Sequence, residues 1–496
     1  MTVHDHEVEG LGRHGPIIVA PDRFGESCRA TPRSSGATRS YDRPAVTSPA
    51  LVSSPALDAA RRLLGFCDAS PSPYHACATA AAMLGEAGFT RLAEDAVWPG
   101  EPGRWLVVRG GSLVAWAVSG EHTPHDGFRI VGAHTDSPNL RVKPRPDIAF
   151  AGYRQLGVEA YGGVLLNSWL DRDLGLSGRV AVRRDGGGAF VRLLRVDRPV
   201  CCIPQLAIHL DRDVTQKGLV VDAQHHLTPI WGLAEAEGTR GNGGSAGTVA
   251  ADFTAFVAGE LGVGTDDVLG WDLMLHDLAP GALVGADDEL IGSSRLDNLA
   301  SCWAAVEALL DVTPGLADGP VPVVCLFDHE EVGSTSDRGA ASSLLPSLIE
   351  RTVLARGGDR EAFHRALARS ACLSADMAHA THPNYVDRHD PQHQVALNGG
   401  PVLKANANVR YATDAPGAGL VALAAEQAKV RLQRFAMRSD LPCGSTVGPI
   451  TAARLGITTV DVGMPQLAMH AAREHAGSRD PAQYRALLAA FLAPSY

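Results

Sequence analysis

The chain has 496 residues, 45% hydrophobic and 20% charged, an ordinary balance for a globular protein with chain enough for about three domains. Its formal net charge of −11 is spread without long runs, which excludes the basic footprint of a nucleic-acid binder, and no apolar run nears the roughly 18 residues of a membrane span. Nine cysteines with no Cys-x-x-Cys pair read as buried free thiols in a reducing compartment, with the cytoplasm as the expected location, rather than as a disulfide frame or a thiolate zinc site.

Residues 1–50, rich in Arg, Ser, Pro, Gly and Thr, show no sustained period and read as a disordered N-terminal extension or an over-extended start. Helical spacing begins near Ala56, breaks at Ser70-Pro-Ser-Pro73 and resumes from Tyr74 to about Ala87. Trp105–Val108 and Leu113–Val118 flank a turn at Arg109–Ser112, a hairpin signal, and Phe128–Ala133 is a strand that stops at His134-Thr-Asp136. From 142 to 275 the texture turns to short β-like runs such as Arg179–Arg183 and Phe190–Val196, with Asp185–Gly188 between them and a mobile-looking Gly238–Gly247. This stretch reads as a β-rich domain inserted between two parts of an α/β domain, 51–141 and 276–496. Beyond it, helices (Leu296–Leu310, Leu420–Phe435) alternate with buried strands (Val321–Phe327, Cys372–Ala375, Val402–Lys404, Thr458–Val462). That alternation implies a mainly parallel or mixed sheet with helices on its faces.

Four of these strands end in side chains of the metal-ligand type: His134 and Asp136; Asp328-His-Glu330-Glu331; Asp376; and, some residues after Thr459–Gly463, His470. The rim of such a sheet is where ligands sit in open α/β folds. A fifth carboxylate, Asp297, falls just before a helix, where a capping role is the alternative. If the five places converge, two histidines and three or four carboxylates suit two divalent ions of the zinc type. Asp297 would bridge, His134, Glu331, Asp376 and His470 would complete the ligands, and Asp136 would hold the other nitrogen of His134. Glu330 would then be free as general base for hydrolysis of an amide.

The segments SPSPYHA (from Ser70), VGAHTDSPNLRVKP (from Val131), YGGVLLNSWLDRDLGLSGRV (from Tyr161), IPQLAIHLDRDV (from Ile203), GSSRLDNL (from Gly292), DHEEVGS (from Asp328), SADMAHATHPNY (from Ser374), VLKANANVRYAT (from Val402), CGSTVGPI (from Cys443) and GMPQLAMHAARE (from Gly463) closely resemble the aspartyl aminopeptidases, cytosolic dizinc enzymes that remove N-terminal Asp or Glu from peptides. The resemblance implies a zinc-peptidase α/β fold interrupted by a β-rich dimerisation domain, assembled as a tetrahedral homododecamer. It implies His134, Asp297, Glu331, Asp376 and His470 as ligands of two Zn2+, one replaceable by Co2+ or Mn2+, with Glu330 as base and Asp136 orienting His134. His209 matches a histidine that reaches a neighbouring subunit's site, and Lys404 and Tyr411 match substrate-contacting positions. On the residues alone, Lys404 reads sooner as a surface lysine and His209 as a hydrogen-bonded histidine of the β domain, and Tyr411 reads also as core. Of His379, His382, His389 and His393, only His379 is read as lining the site, because Pro383 and Pro391 break any helical spacing. The loop Gly444–Gly448 suits either an anion cradle or a tight strand-to-helix turn. Two other readings stay open: a deacylase or carboxypeptidase on the same metal site, and a metal-stabilised assembly protein without catalysis.

Overall fold

The computed structural model describes residues 55–234, 252–316 and 318–495. The N-terminal extension, Cys28 and the glycine-rich stretch 238–247 lie outside the described residues. Val321–Phe327, buried at every position, runs inside a nine-stranded sheet. Its order is Thr90–Arg91, Gly103–Arg109, Ser112–Val118, Val321–Phe327, Phe128–His134, Ala371–Ala375, Thr458–Gly463, Val402–Ala405, Gln433–Ala436. Val321–Phe327 and the three strands after it in this order are mutually parallel. The hairpin Gly103–Arg109/Ser112–Val118 and the strand Val402–Ala405 join this block antiparallel on opposite sides. The sheet is therefore mixed.

Alternate side chains leave the sheet in opposite directions. Val324 and Leu326 pack in one core with Leu63, Ala80, Trp303 and Phe491, from the helices Pro55–Ala69, Pro73–Glu86, Leu296–Val312 and Asp480–Leu492. Val323, Cys325 and Phe327 pack in another with Leu348, Phe363 and Leu455, from Leu344–Ala355, Arg360–Ala368 and Val447–Leu455. Two covered faces are the reason these strands read as continuous apolar runs rather than alternating ones.

Residues 139–277 hold a second, antiparallel sheet of six strands: Ala189–Cys201, Leu174–Arg183, Val268–Asp277, Asn139–Phe150, Tyr153–Tyr161 and Ile230–Leu233. The helix Asp252–Leu261 closes its core with Phe253, Val257 and Leu261. A five-stranded sheet (Ala282–Val284, Leu290–Ser293, Glu474–Gly477, Pro465–Leu467, Ala378–His379) carries the chain on either side of His470.

The expected helix Leu420–Phe435 is corrected. The helix runs Ala415–Ala428, and Gln433–Ala436 is an edge strand parallel to Val402–Ala405. Lys429 at φ 55° donates its N–H to the helix's last carbonyls and ends it. Pairing with Val402–Ala405 then holds residues 433–436 extended. Gly444–Gly448 is the strand-to-helix turn: the Thr446 hydroxyl accepts the Gly448 N–H at the start of Val447–Leu455. All eight cysteines of the described residues are free, and no helix among those residues is long and apolar enough to cross a membrane.

Candidate metal centre

The parallel strands all end on one rim. Phe128–His134 delivers His134 there, and Val321–Phe327 delivers the acidic turn beside it, Phe327 pairing with His134. In that turn His329, at a φ of 65°, reverses the chain. The reversal aims two successive backbone N–H groups, of Glu330 and Glu331, at the two oxygens of the Asp136 carboxylate, each at 3.1 Å. Asp376 follows Ala371–Ala375 directly. Asp297 sits at the head of Leu296–Val312, where Asp297 and Asn298 keep non-helical dihedrals. Its side chain does not cap the helix but turns to the histidines: Oδ1 lies 3.4 Å from His134 Nε2 and Oδ2 3.4 Å from His470 Nε2.

Hydrogen bonds fix one ring nitrogen of each histidine. His134 Nδ1 is 2.9 Å from the Asp136 backbone carbonyl and His470 Nδ1 is 3.0 Å from that of Gly163. A carbonyl only accepts, so each Nδ1 carries a proton and each Nε2 is left to face the cluster. Those nitrogens face carboxylate oxygens: His134 faces Asp297, and His470 faces Asp297 and also Glu331 Oε1 at 3.4 Å. Asp297 Oδ1 is buried with no hydrogen-bond partner. A buried nitrogen facing carboxylate oxygens is held by a proton or a metal ion between them, and N and O donors of this kind suit zinc. Donor atoms of His134, Asp297 and Asp376 lie within 4.8 Å of one another, as do those of Asp297, Glu331 and His470, and those of His134, Glu330 and Glu331.

Asp136 holds His134 through its backbone oxygen rather than its carboxylate, which stands 3.6 Å from Nδ1 at Oδ1. The carboxylate is already engaged by the Glu330 and Glu331 N–H groups and by the Tyr161 hydroxyl, which donates to Oδ2 at 2.7 Å. Sequence reasoning misses two partners. One is Tyr161. The other is Glu474, which accepts the backbone N–H of Asp297 at 2.9 Å and of His470 at 2.7 Å. Its position four residues beyond His470 is the signal that could have found it.

Crowded carboxylates dominate the electrostatics. Burial, with Asp376, Asp136 and Asp297 nearby, pushes Glu330 up to about 8 against the pull of His134. Burial and Asp297 raise Glu331 well above the usual range. Burial lifts Asp376 to about 6, with Lys404 opposing. For Asp297 burial is outweighed by the two histidines, and its carboxyl is lowered. The three upward shifts answer burial among like charges with too little positive charge nearby.

Lys404 is not a surface residue: it is 2% exposed. Its ammonium donates to the Met377 carbonyl at 3.1 Å, stands 3.8 Å from Asp376 Oδ1 and lies 5.0 Å over the Tyr411 ring. Tyr411 and His379 both pack edge-on against Phe435. Burial, then Lys404, lowers His379 to about 4, so it is neutral beside the cluster. His382, His389 and His393 join no candidate metal group among the described residues. The His382 backbone N–H bonds His389, and His393 pairs with Asp390. His209 is exposed on a turn of the six-stranded sheet's connecting loop and is not brought to the cluster within this chain.

Residues 66–492 match the model of the aminopeptidase I zinc metalloproteases, family M18. The chain belongs to the M18 peptidase family. A probable M18 family aminopeptidase 2 of Mycobacterium leprae is 52% identical over 431 residues, covering 86% of this chain and 97% of that one. Among solved structures, a chain in the cryo-EM structure of an Ape4 and Nbr1 complex is 36% identical at a TM-score of 0.83, over 88% of this chain and 86% of that one. The S. cerevisiae mApe1 dodecamer is 27% identical at a TM-score of 0.75, over 88% and 96%. M18 membership brings the coarse activity with it: the chain is a zinc metallohydrolase of the aminopeptidase kind, and its mixed α/β architecture is that of M18 aminopeptidases.

Proposed function

We propose that the protein is a dizinc aminopeptidase that removes acidic residues, Asp or Glu, from peptide N-termini. The observation that carries the two-ion reading is Asp297, with one oxygen turned to each histidine. His134, Asp297 and Asp376 would hold one Zn2+, and Asp297, Glu331 and His470 the other. Bound zinc supplies Lewis-acid polarisation of the scissile carbonyl and lowers the pKa of water at the site. Glu330 takes the proton from the attacking water and returns it to the leaving amine. Its buried setting beside the cluster supports that use. Asp136 keeps the Nε2 lone pair of His134 pointed inward through the Nδ1 hydrogen bond. One ion accepts Co2+ or Mn2+ in this reading.

The acidic preference rests on Lys404. A buried ammonium with donors beyond the one spent on Met377 offers a charge-assisted bond to a substrate side-chain carboxylate. Tyr411 and His379 would flank that side chain. A second support concerns assembly. Leu206, Ile208 and Leu210 are 57%, 51% and 75% exposed around His209, an apolar patch of the kind that meets a partner. The yeast relative is a dodecamer, and we read this chain as a homododecamer in which His209 completes a neighbour's site. In this reading 142–275 serve as the dimerisation domain.

The test is a panel of N-terminal residues on one chromogenic leaving group, with and without a chelator. Release of Asp and Glu only, lost with chelator and in Glu330→Gln, is expected. Metal-dependent release of neutral residues instead would overturn the substrate claim.

A further inference from the structure

The segment Tyr161-Gly162-Gly163, where the six-stranded sheet leaves its last long strand, touches the metal cluster at three points. Tyr161 donates its hydroxyl to Asp136 Oδ2 at 2.7 Å. Asp136 is the residue whose carbonyl holds His134 Nδ1 and whose carboxylate holds the N–H groups of Glu330 and Glu331. Gly162, at φ 73°, lies so close to Glu331 that an added Cβ would stand 2.9 Å from the Glu331 Cβ. Gly163 accepts the His470 Nδ1 proton at 3.0 Å, and the Leu165 N–H two residues on donates to the His470 carbonyl at 3.1 Å. The segment is itself braced: the Arg141 guanidinium lies 3.6 Å over the Tyr161 ring, from the strand that pairs Asn139 with Tyr161.

We propose that Tyr161-Gly162-Gly163 is a clamp by which the six-stranded sheet sets the geometry of the metal centre, with Tyr161 as a positioning residue acting through Asp136. The inference rests on the reading of the cluster as a zinc site. His134, Glu331 and His470 hang from three different elements of the molecule. The clamp bears on all three, on His134 through Asp136 and on Glu331 and His470 directly. The outer hydrogen bond of a ligating histidine sets the direction of its lone pair, and such partners are worth about 10- to 100-fold in metal affinity. The six-stranded sheet thus contributes to zinc binding within its own subunit, apart from any role between subunits.

The experiment is a competition titration of zinc against a chromogenic chelator, on the full chain and on Tyr161→Phe and Gly162→Ala. Tyr161→Phe removes one O–H and keeps the ring under Arg141. We expect zinc affinity lowered about 10- to 100-fold in Tyr161→Phe, and, at saturating zinc, a fall in kcat with KM retained. Gly162→Ala, which pushes on Glu331, weakens zinc binding as well. Melting of the zinc-free proteins separates positioning from packing. A melting point lowered in both variants with zinc affinity unchanged would reduce the segment to packing and overturn the proposal. Wild-type affinity and kcat in both would overturn it too. Failure of the unaltered chain to bind zinc would take down the reading of the site, and this inference with it.

Discussion

At the scale of single residues, Glu330 and Glu331 are chemically identical neighbours with different work. Glu331 Oε1 faces His470 across 3.4 Å, whereas Glu330 shares its donor group with His134 and Glu331 alone. Glu330→Gln is therefore expected to lower kcat by about 10²- to 10⁴-fold while zinc content, read by atomic absorption, stays that of the unaltered chain. Glu331→Gln should lose zinc. Lys404→Met keeps volume and removes the charge. It should lower kcat/KM for Asp- and Glu-terminal substrates at least tenfold, about 1.4 kcal/mol, and leave neutral substrates comparatively favoured. A ratio unchanged between acidic and neutral substrates would remove Lys404 from specificity. The cluster residues are legible in the sequence because most of them follow an apolar strand by one to four positions. Tyr161 is not, and Glu474 is so only through its nearness to His470. A tyrosine at a strand end carries no local mark of the partner that gives it meaning, 25 residues away for the Tyr161–Asp136 bond, and nothing around Glu474 announces its bond to the Asp297 N–H.

At the scale of elements, strands with both faces covered announce themselves as apolar runs, and the hairpin at Arg109–Ser112 is equally plain from its turn residues. The stretch 429–435 is the exception. It has helical spacing and good helix formers, but Lys429 in the left-handed region and an open sheet edge outweigh that local preference. A helix start supplies the next prediction. Ser72 caps Pro73–Glu86, its hydroxyl accepting the His75 N–H and lying 2.7 Å from His75 Nδ1. Burial, then the charges of Arg195 and His276, lowers His75 to about 3. The unfolded chain, with His near 6.5, binds the extra proton first, so stability from this residue is fully present above about 6.5 and is lost as pH falls towards 3. His75→Gln should flatten the decline of unfolding free energy between pH 6.5 and 4, measured by urea titration at both ends. An equally steep decline would assign it to other groups.

At the scale of the whole molecule, metal and fold are linked through charge. Without zinc, Asp376 stands at about 6, Glu330 and Glu474 at about 8 and His470 at about 10. Burial comes first in raising the three acids. For His470 burial opposes, and Asp297 and Glu331 raise it. Each keeps its proton in the folded chain over a pH range in which the unfolded chain has released it. Each therefore stabilises the zinc-free fold below its unfolded value and loses that contribution as pH rises through its folded one. The four act in one direction, Asp376 up to about pH 6, Glu330 and Glu474 up to about 8 and His470 up to about 10. Zinc competes with those protons, so its stabilisation, RT ln(1 + [Zn]/Kd), must grow over the same range as the apparent Kd falls. Chelator-treated protein should thus melt at lower temperature at pH 8.5 than at pH 6, while the gap between zinc-loaded and zinc-free protein widens from pH 6 to 8.5. The six-stranded sheet shares in that gap, because its Tyr161 and Gly163 hold Asp136 and His470. A gap that is constant across pH would mean that the cluster's protons are not what zinc displaces.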